Sequence, residues 1–329
     1  MALSFAFFWP SDAAGQPAFS AFASPNVGGA RPVLRYRMLV LPSEQVSGQG
    51  TFYSSLEQQL FLSVPVWQNR QDELTFQGSV RAHVIETDAV LPTTGEPFPK
   101  NLTDVRFGPT YRRKFSNDWT SGISIQFGSA SDVPFGRFDD AELIATWFMR
   151  IPSGKRNAWV AFLNYSNNRD FANHIPLPGF GFVFGGNRWC RGLIGLPVIA
   201  ATLFPEYKAN LSLTYLPLLK ITAELGYDFI PPVRAFTEFV WSNETYFRNA
   251  QPDKKLRLFL VDKRISGGVR LRPARWAELK LAGGWVFDRN SFESRSVYKD
   301  RDYNRIDFGA GPFASVELNF RMLGKASAD

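Results

Sequence analysis

The sequence predicts an all-β fold, a transmembrane antiparallel β-barrel. Three observations carry the prediction: residues alternate apolar and polar along most of the chain, aromatic residues crowd the ends of the alternating segments, and short connections alternate with long ones. The 329 residues hold 15% aromatic and 20% charged residues, including 31 Phe, 9 Trp and 10 Tyr. No uninterrupted apolar run approaches the roughly 18 residues that a membrane helix needs. The longest such stretch, residues 193–204, is broken by Gly195 and Pro197. A barrel wall explains aromatic richness without helical spans, because only every second residue meets lipid.

Period two is clearest at the end of the chain. Ala314, Val316, Leu318, Phe320 and Met322 share one face, and Ser315, Glu317, Asn319 and Arg321 share the other. A strand separates these two sets, whereas a helix would mix them. The same sorting appears at residues 76–84, 122–127, 208–215, 221–228 and 277–287. Along residues 256–272 the face changes near Lys263, which predicts a bulge.

One-sided alternation also describes a soluble β-sandwich. Segment length argues for a barrel, since the segments run about 9 to 12 residues, as a tilted membrane strand requires, against about 5 to 6 in soluble sheets. So do Trp67, Trp119, Trp159, Tyr215, Tyr227, Trp276 and Trp285 near segment ends, where interfacial girdles form. Short turns are predicted at residues 68–72, 116–118, 153–156 and 273–275, and long loops at 87–104, 128–140, 243–255 and 288–305. In barrels of this type the short turns face the periplasm and the long loops face outside.

Counting alternating segments gives fifteen, and single-chain bacterial barrels have even numbers. Assigning residues 179–186 to a loop and residues 190–204 to one strand leaves fourteen as the expected number, with twelve to sixteen as the range. Residues 1–31 read as an N-terminal extension or degenerate export signal: residues 2–8 are apolar and Ala13-Ala14-Gly15 resembles a cleavage site, but a basic start is missing. Residues 32–322 form the barrel and 323–329 a tail.

Chemistry is sparse. One cysteine, Cys190, excludes an intramolecular disulfide, and two histidines, His83 and His174, argue against a His-rich metal centre. Neither histidine sits in a hydrolase-like pattern, so no catalytic residue, metal or cofactor is expected. The acid pairs Asp139-Asp140 and Asp300/Asp302 read as solvated loop charge, and Phe180, Phe182 and Phe184 as packing residues. The net charge of +7 is scattered, which disfavours nucleic acid as a partner. Alternation turns Arg81, His83, Arg106, Arg112, Lys208, Glu224, Arg270, Glu278, Lys280 and Glu317 toward the lumen. A charge-lined, water-filled lumen passes small polar solutes and discriminates by sign. The expectation is therefore a passive channel or transporter and no enzyme. A plugged structural or adhesive barrel is the alternative, and an outer-membrane hydrolase a more distant one.

The stretches Leu177-Pro178-Gly179-Phe180-Gly181-Phe182, Gly195-Leu196-Pro197, Leu211-Ser212-Leu213-Thr214-Tyr215-Leu216-Pro217 and Trp241-Ser242-Asn243-Glu244-Thr245-Tyr246, with the final strand, resemble bacterial outer-membrane barrels. More narrowly they resemble an uncharacterised family of predicted barrels. The resemblance covers roughly residues 175–322 and implies an outer-membrane location, with outer-membrane lipids, lipopolysaccharide and the barrel-assembly machinery as partners. It implies no activity. Such barrels commonly end on an aromatic residue, whereas Phe320 here is followed by nine more residues.

Overall fold

The structure, a computed structural model, describes residues 26–169, 172–185, 188–251, 253, 255–296 and 301–322. The expected extension up to residue 25 and the tail from 323 lie outside these residues.

Successive strands pair antiparallel with their chain neighbours and the last pairs with the first, so the sheet closes on itself. The long side of the wall starts with β1 (Val33–Gln45), β2 (Phe52–Gln68), β3 (Asp72–Thr87), β4 (Asn101–Lys114), β5 (Thr120–Ser131), β6 (Ala141–Ser153) and β7 (Asn157–Ser166). A lower stretch follows, made of β8 (Leu177–Phe184), β9 (Cys190–Leu196), β10 (Ile199–Leu203) and β11 (Ala209–Leu216). The wall then rises again through β12 (Lys220–Ile230), β13 (Val233–Tyr246), β14 (Arg257–Ala274) and β15 (Ala277–Ser294). It ends with β16 (Ile306–Phe308) and β17 (Gly311–Arg321), which both pair with β15 and together form one crossing strand interrupted at Gly309 and Ala310.

The wall therefore has sixteen strands, and the expected fourteen is corrected at two places. Leu177–Phe184 is a strand rather than a loop, and the single strand expected over residues 190–204 is the β9–β10 hairpin, turned at Pro197 and Val198. Its strands have seven and five residues, too short to announce themselves as separate alternating segments. The predicted bulge is present, as a register shift between Val261 and Lys263 where β14 meets β15.

Short connections lie at one end of the barrel, at residues 69–71, 115–119, 154–156 and 275–276, and the long ones lie at the other, at 88–100, 132–140, 247–256 and 295–305. The long loops are shorter than expected because β4, β5, β13 and β15 extend into them.

Alternation sorts the side chains as a ring requires. Val80, Phe107, Ile123, Trp147, Leu213, Leu225 and Trp285 point outward and are exposed. Gln77, Thr110, Ser124, Thr146, Thr214, Glu238 and Asn319 point inward and are buried. At the turn end Trp67, Trp119, Trp159, Trp189, Phe229 and Trp276 are exposed in a belt, the position where aromatic rings favour a membrane–water boundary. No helix among the described residues is long and apolar enough to cross a membrane.

The loop end is pinched. Phe247, just beyond β13, donates its N–H to the Ala130 carbonyl on β5, and Asp132 N–H donates to the Phe247 carbonyl at 3.1 Å. In the ring, β5 and β13 stand opposite one another, with seven strands between them on either side. On the β14–β4 side of this tie an apolar cluster fills the mouth, with Tyr53, Ile85, Leu91, Phe98, Tyr246 and Phe308 at its centre. Loop 88–100 supplies Leu91 and Phe98, and Thr93 N–H donates to Asn304 of loop 295–305 at 2.9 Å.

Candidate functional site: the charged lumen

Below the apolar plug the lumen carries charge in three groups. The first spans the lumen. Glu244 on β13 receives the Arg81 guanidinium at 2.7 Å and the His83 Nε2 at 2.8 Å, both from β3, and the Tyr246 hydroxyl donates to it at 2.8 Å. Arg264 on β14 reaches Glu57 on β2 at 3.5 Å and donates to Ser242 Oγ at 3.1 Å. Neither β3 and β13 nor β2 and β14 are ring neighbours, so the Arg81–Glu244, His83–Glu244 and Arg264–Glu57 contacts are struts across the interior.

Glu57, His83 and Glu244 offer ligand atoms within 4.8 Å of one another. Each carboxylate, however, already faces a guanidinium, and Glu57 also accepts from the Gln59 amide at 2.8 Å. Cations this close disfavour a divalent ion, so the trio reads as an ion-pair knot.

The second group lies along the wall from β12 round to β1, nearer the turn end. Glu224 receives Arg270 at 2.9 Å, Lys280 at 3.4 Å and Arg234 at 3.5 Å, and Lys280 also reaches Glu238 at 3.1 Å. Glu278 takes Arg270 at 3.4 Å and Arg272 at 2.8 Å, while Glu317 faces Arg35 at 3.7 Å. Gly226 makes room for part of this network: a Cβ there would lie 2.0 Å from the Arg234 guanidinium. Arg270 and Lys280 also lie over the Phe236 ring, at 5.7 and 4.5 Å.

The third group lies at the turn end. Arg112 pairs with Glu73 at 2.7 Å and donates to the Asn26 carbonyl at 2.9 Å, and Glu73 accepts the Gly28 N–H at 3.0 Å. Residues 26–28 are thereby fastened to the lumen wall.

Of the ten expected lumen residues, Arg81, His83, Arg112, Glu224, Arg270, Glu278, Lys280 and Glu317 fall within these groups. Arg106 stands apart, paired with Asp104 at 2.9 Å and with Glu142, two strands away, at 3.3 Å. It passes over Gly128, where a Cβ would lie 2.8 Å from the Arg106 Cγ. Lys208 departs from the set, since it is exposed in the turn before β11, outside any strand. Asp140, expected as solvated loop charge, is buried in a short 3-10 turn. Phe180, Phe182 and Phe184 point outward on β8, with Phe182 against Trp159 at 4.8 Å.

Several participants escaped the sequence reading. Glu244 lay inside an expected loop. Glu57 precedes Gln58 and Gln59, which blur the alternation, and Arg150 sits among Trp147, Phe148, Met149 and Ile151 and read as part of an apolar segment. The histidines serve as partners rather than as a visible dyad with serine: His174 Nδ1 lies 3.3 Å from the exposed Tyr165 hydroxyl.

No family model matches the chain, and no curated protein matches it significantly. The narrower family resemblance therefore gains no match. Solved structures similar to it include an outer-membrane channel from Pseudomonas putida F1, at 10% identity and TM-score 0.37, covering 92% of this chain and 98% of that one. Others are the P. putida toluene transporter TodX, at 10% identity and TM-score 0.35, covering 89% and 91%, and the β domain of the Bordetella autotransporter BrkA, at 8% and 0.33, covering 89% and 100%. At such low scores the architecture stands on the chain's own strand pairing.

Proposed function

We propose that the protein is a bacterial outer-membrane channel or transporter that passes small polar solutes passively and needs no cofactor. One observation carries this reading: a closed sixteen-strand ring has an exposed apolar exterior and an interior lined by ionised and hydroxyl side chains. Such a ring satisfies every backbone group within itself, as hydrocarbon requires, and concentrates polar groups where a solute would pass. In this reading the short turns face the periplasm and the long loops face outside. The apolar band meets outer-membrane lipid, and the basic loops meet lipopolysaccharide phosphates. Insertion would use the barrel-assembly machinery.

The passage runs beside the pinch, along the β5–β13 half, because the other half is filled by the apolar plug and the Arg81–Glu244 and Glu57–Arg264 struts. The lumen charges are close to balanced, so selectivity falls to local groups rather than to net sign.

Single-channel recording of the purified full chain in planar bilayers tests the proposal. Discrete conductance steps are expected, and their absence removes the channel reading. A closed structural or adhesive barrel is the second reading, favoured by the Phe247–Ala130 tie, and it predicts a silent bilayer.

A further inference from the structure

Nearly every buried cation of the interior has a visible partner. Arg112 has Glu73, Arg264 has Glu57, Arg270 has Glu224 and Lys280 has Glu238, while Arg289 lies over the Tyr53 and Phe308 rings. Arg150 is the exception. It points into the lumen from β6 near the turn end and is only 6% exposed. Its Nε has no hydrogen-bond partner, and no carboxylate pairs with it among the described residues.

Directly across the β5–β6 ladder stands Thr120, whose Oγ1 is also buried without a partner. Two unsatisfied polar groups side by side on one face are costly unless something polar meets them. Their surroundings are apolar. Val160 faces Arg150 across the β6–β7 ladder, and Phe148 is the next inward residue on β6. Behind them lie Phe162, Val183 and Leu193 in one cluster.

We infer that Arg150 and Thr120 form an anion-binding point in the β5–β13 half of the lumen, which takes a small carboxylate. The guanidinium holds the carboxylate oxygens, and the threonine hydroxyl beside it offers a further hydrogen bond. The charge-assisted contact supplies the affinity. The inference rests on the channel reading for its role as a filter. The binding point itself does not.

The test is equilibrium binding of benzoate to the full chain in detergent, with benzyl alcohol as the uncharged probe. Wild type should bind benzoate more tightly than benzyl alcohol. R150Q should weaken benzoate by about tenfold or more, the usual weight of a charge-assisted hydrogen bond, and leave benzyl alcohol unchanged. R150K should retain part of the affinity, T120V should lose a few-fold, and the surface variant K263Q should behave as wild type. Equal benzoate affinity in wild type and R150Q overturns the inference, as does equal binding of benzoate and benzyl alcohol, or no binding at all. Should R150Q fail to fold, unchanged affinity in both R150K and T120V overturns it equally. In bilayers R150Q should lower the anion-over-cation permeability ratio. A silent bilayer with intact, Arg150-dependent benzoate binding removes the channel and keeps the site.

Discussion

The Phe247 N–H donates to the Ala130 carbonyl at 2.8 Å, although the strands they extend stand opposite one another across the ring. A sixteen-strand barrel left round would enclose a wide water-filled bore. This bond, continued by Asn249 N–H to Asp132 at 2.7 Å and by Arg137 to the Asn249 carbonyl at 3.1 Å, divides its mouth in two. The struts from Glu244 and Arg264 continue the division inward.

Removing one strut should be expensive. Glu244→Ala leaves Arg81 and His83 without their carboxylate in the interior and strips the Tyr246 hydroxyl of its acceptor. Breaking a buried pair from one side costs on the order of 3–5 kcal/mol. Urea unfolding of the detergent-refolded barrel should show a loss of that size. A change below about 1 kcal/mol would mean that the knot is solvated and holds nothing together.

The outer face should respond to charge as a lipid surface does. Leu225 stands midway along β12 and is exposed, so Leu225→Arg should destabilise the barrel refolded into vesicles by roughly 2–4 kcal/mol. Phe138→Arg, in the loop between β5 and β6, should lie within about 0.5 kcal/mol of wild type. Equal tolerance at the two positions would contradict a hydrocarbon environment around the wall.

Acid should loosen one loop contact late. Asp253 accepts the Lys255 N–H at 2.9 Å and pairs with the Arg295 guanidinium, and these bonds hold its carboxyl below the ordinary range. A carboxylate with a lowered folded pKa contributes stability above its unfolded pKa and loses that contribution as pH falls through the folded value. Carbon-detected titration of Asp253 should therefore give a midpoint below that of a free aspartate. Arg295→Gln should move the midpoint upward, and an unmoved midpoint would show that the ion pair plays no part.

The architecture was readable because a barrel wall writes itself locally. Glu317 and Asn319 point inward and Leu318 outward on the strength of parity alone. Parity failed where one face lost its contrast. Gly192, Gly195 and Pro197 left residues 190–204 without a readable turn between two short strands, and inward-pointing Phe148 hid Arg150 two positions later. The lumen groups were legible as a list of inward charges but not as pairs. A strut such as Arg81–Glu244 depends on which strands face each other across the interior, and that follows from strand number and from the pinch. Neither leaves a mark in any single segment.

In the proposed membrane setting, the low stretch of wall has a consequence for the surrounding lipid. With eight, seven, five and eight residues, β8 to β11 rise less than their neighbours, and β10 covers only about 17 Å. An apolar band of roughly 25 Å cannot be matched there. Acyl chains beside Phe180, Ile194 and Ile199 would have to shorten or splay, or the whole molecule lean toward that flank. Such hydrophobic mismatch gives the cylinder a front and a back, and would fix which side it presents to neighbours in a crowded leaflet.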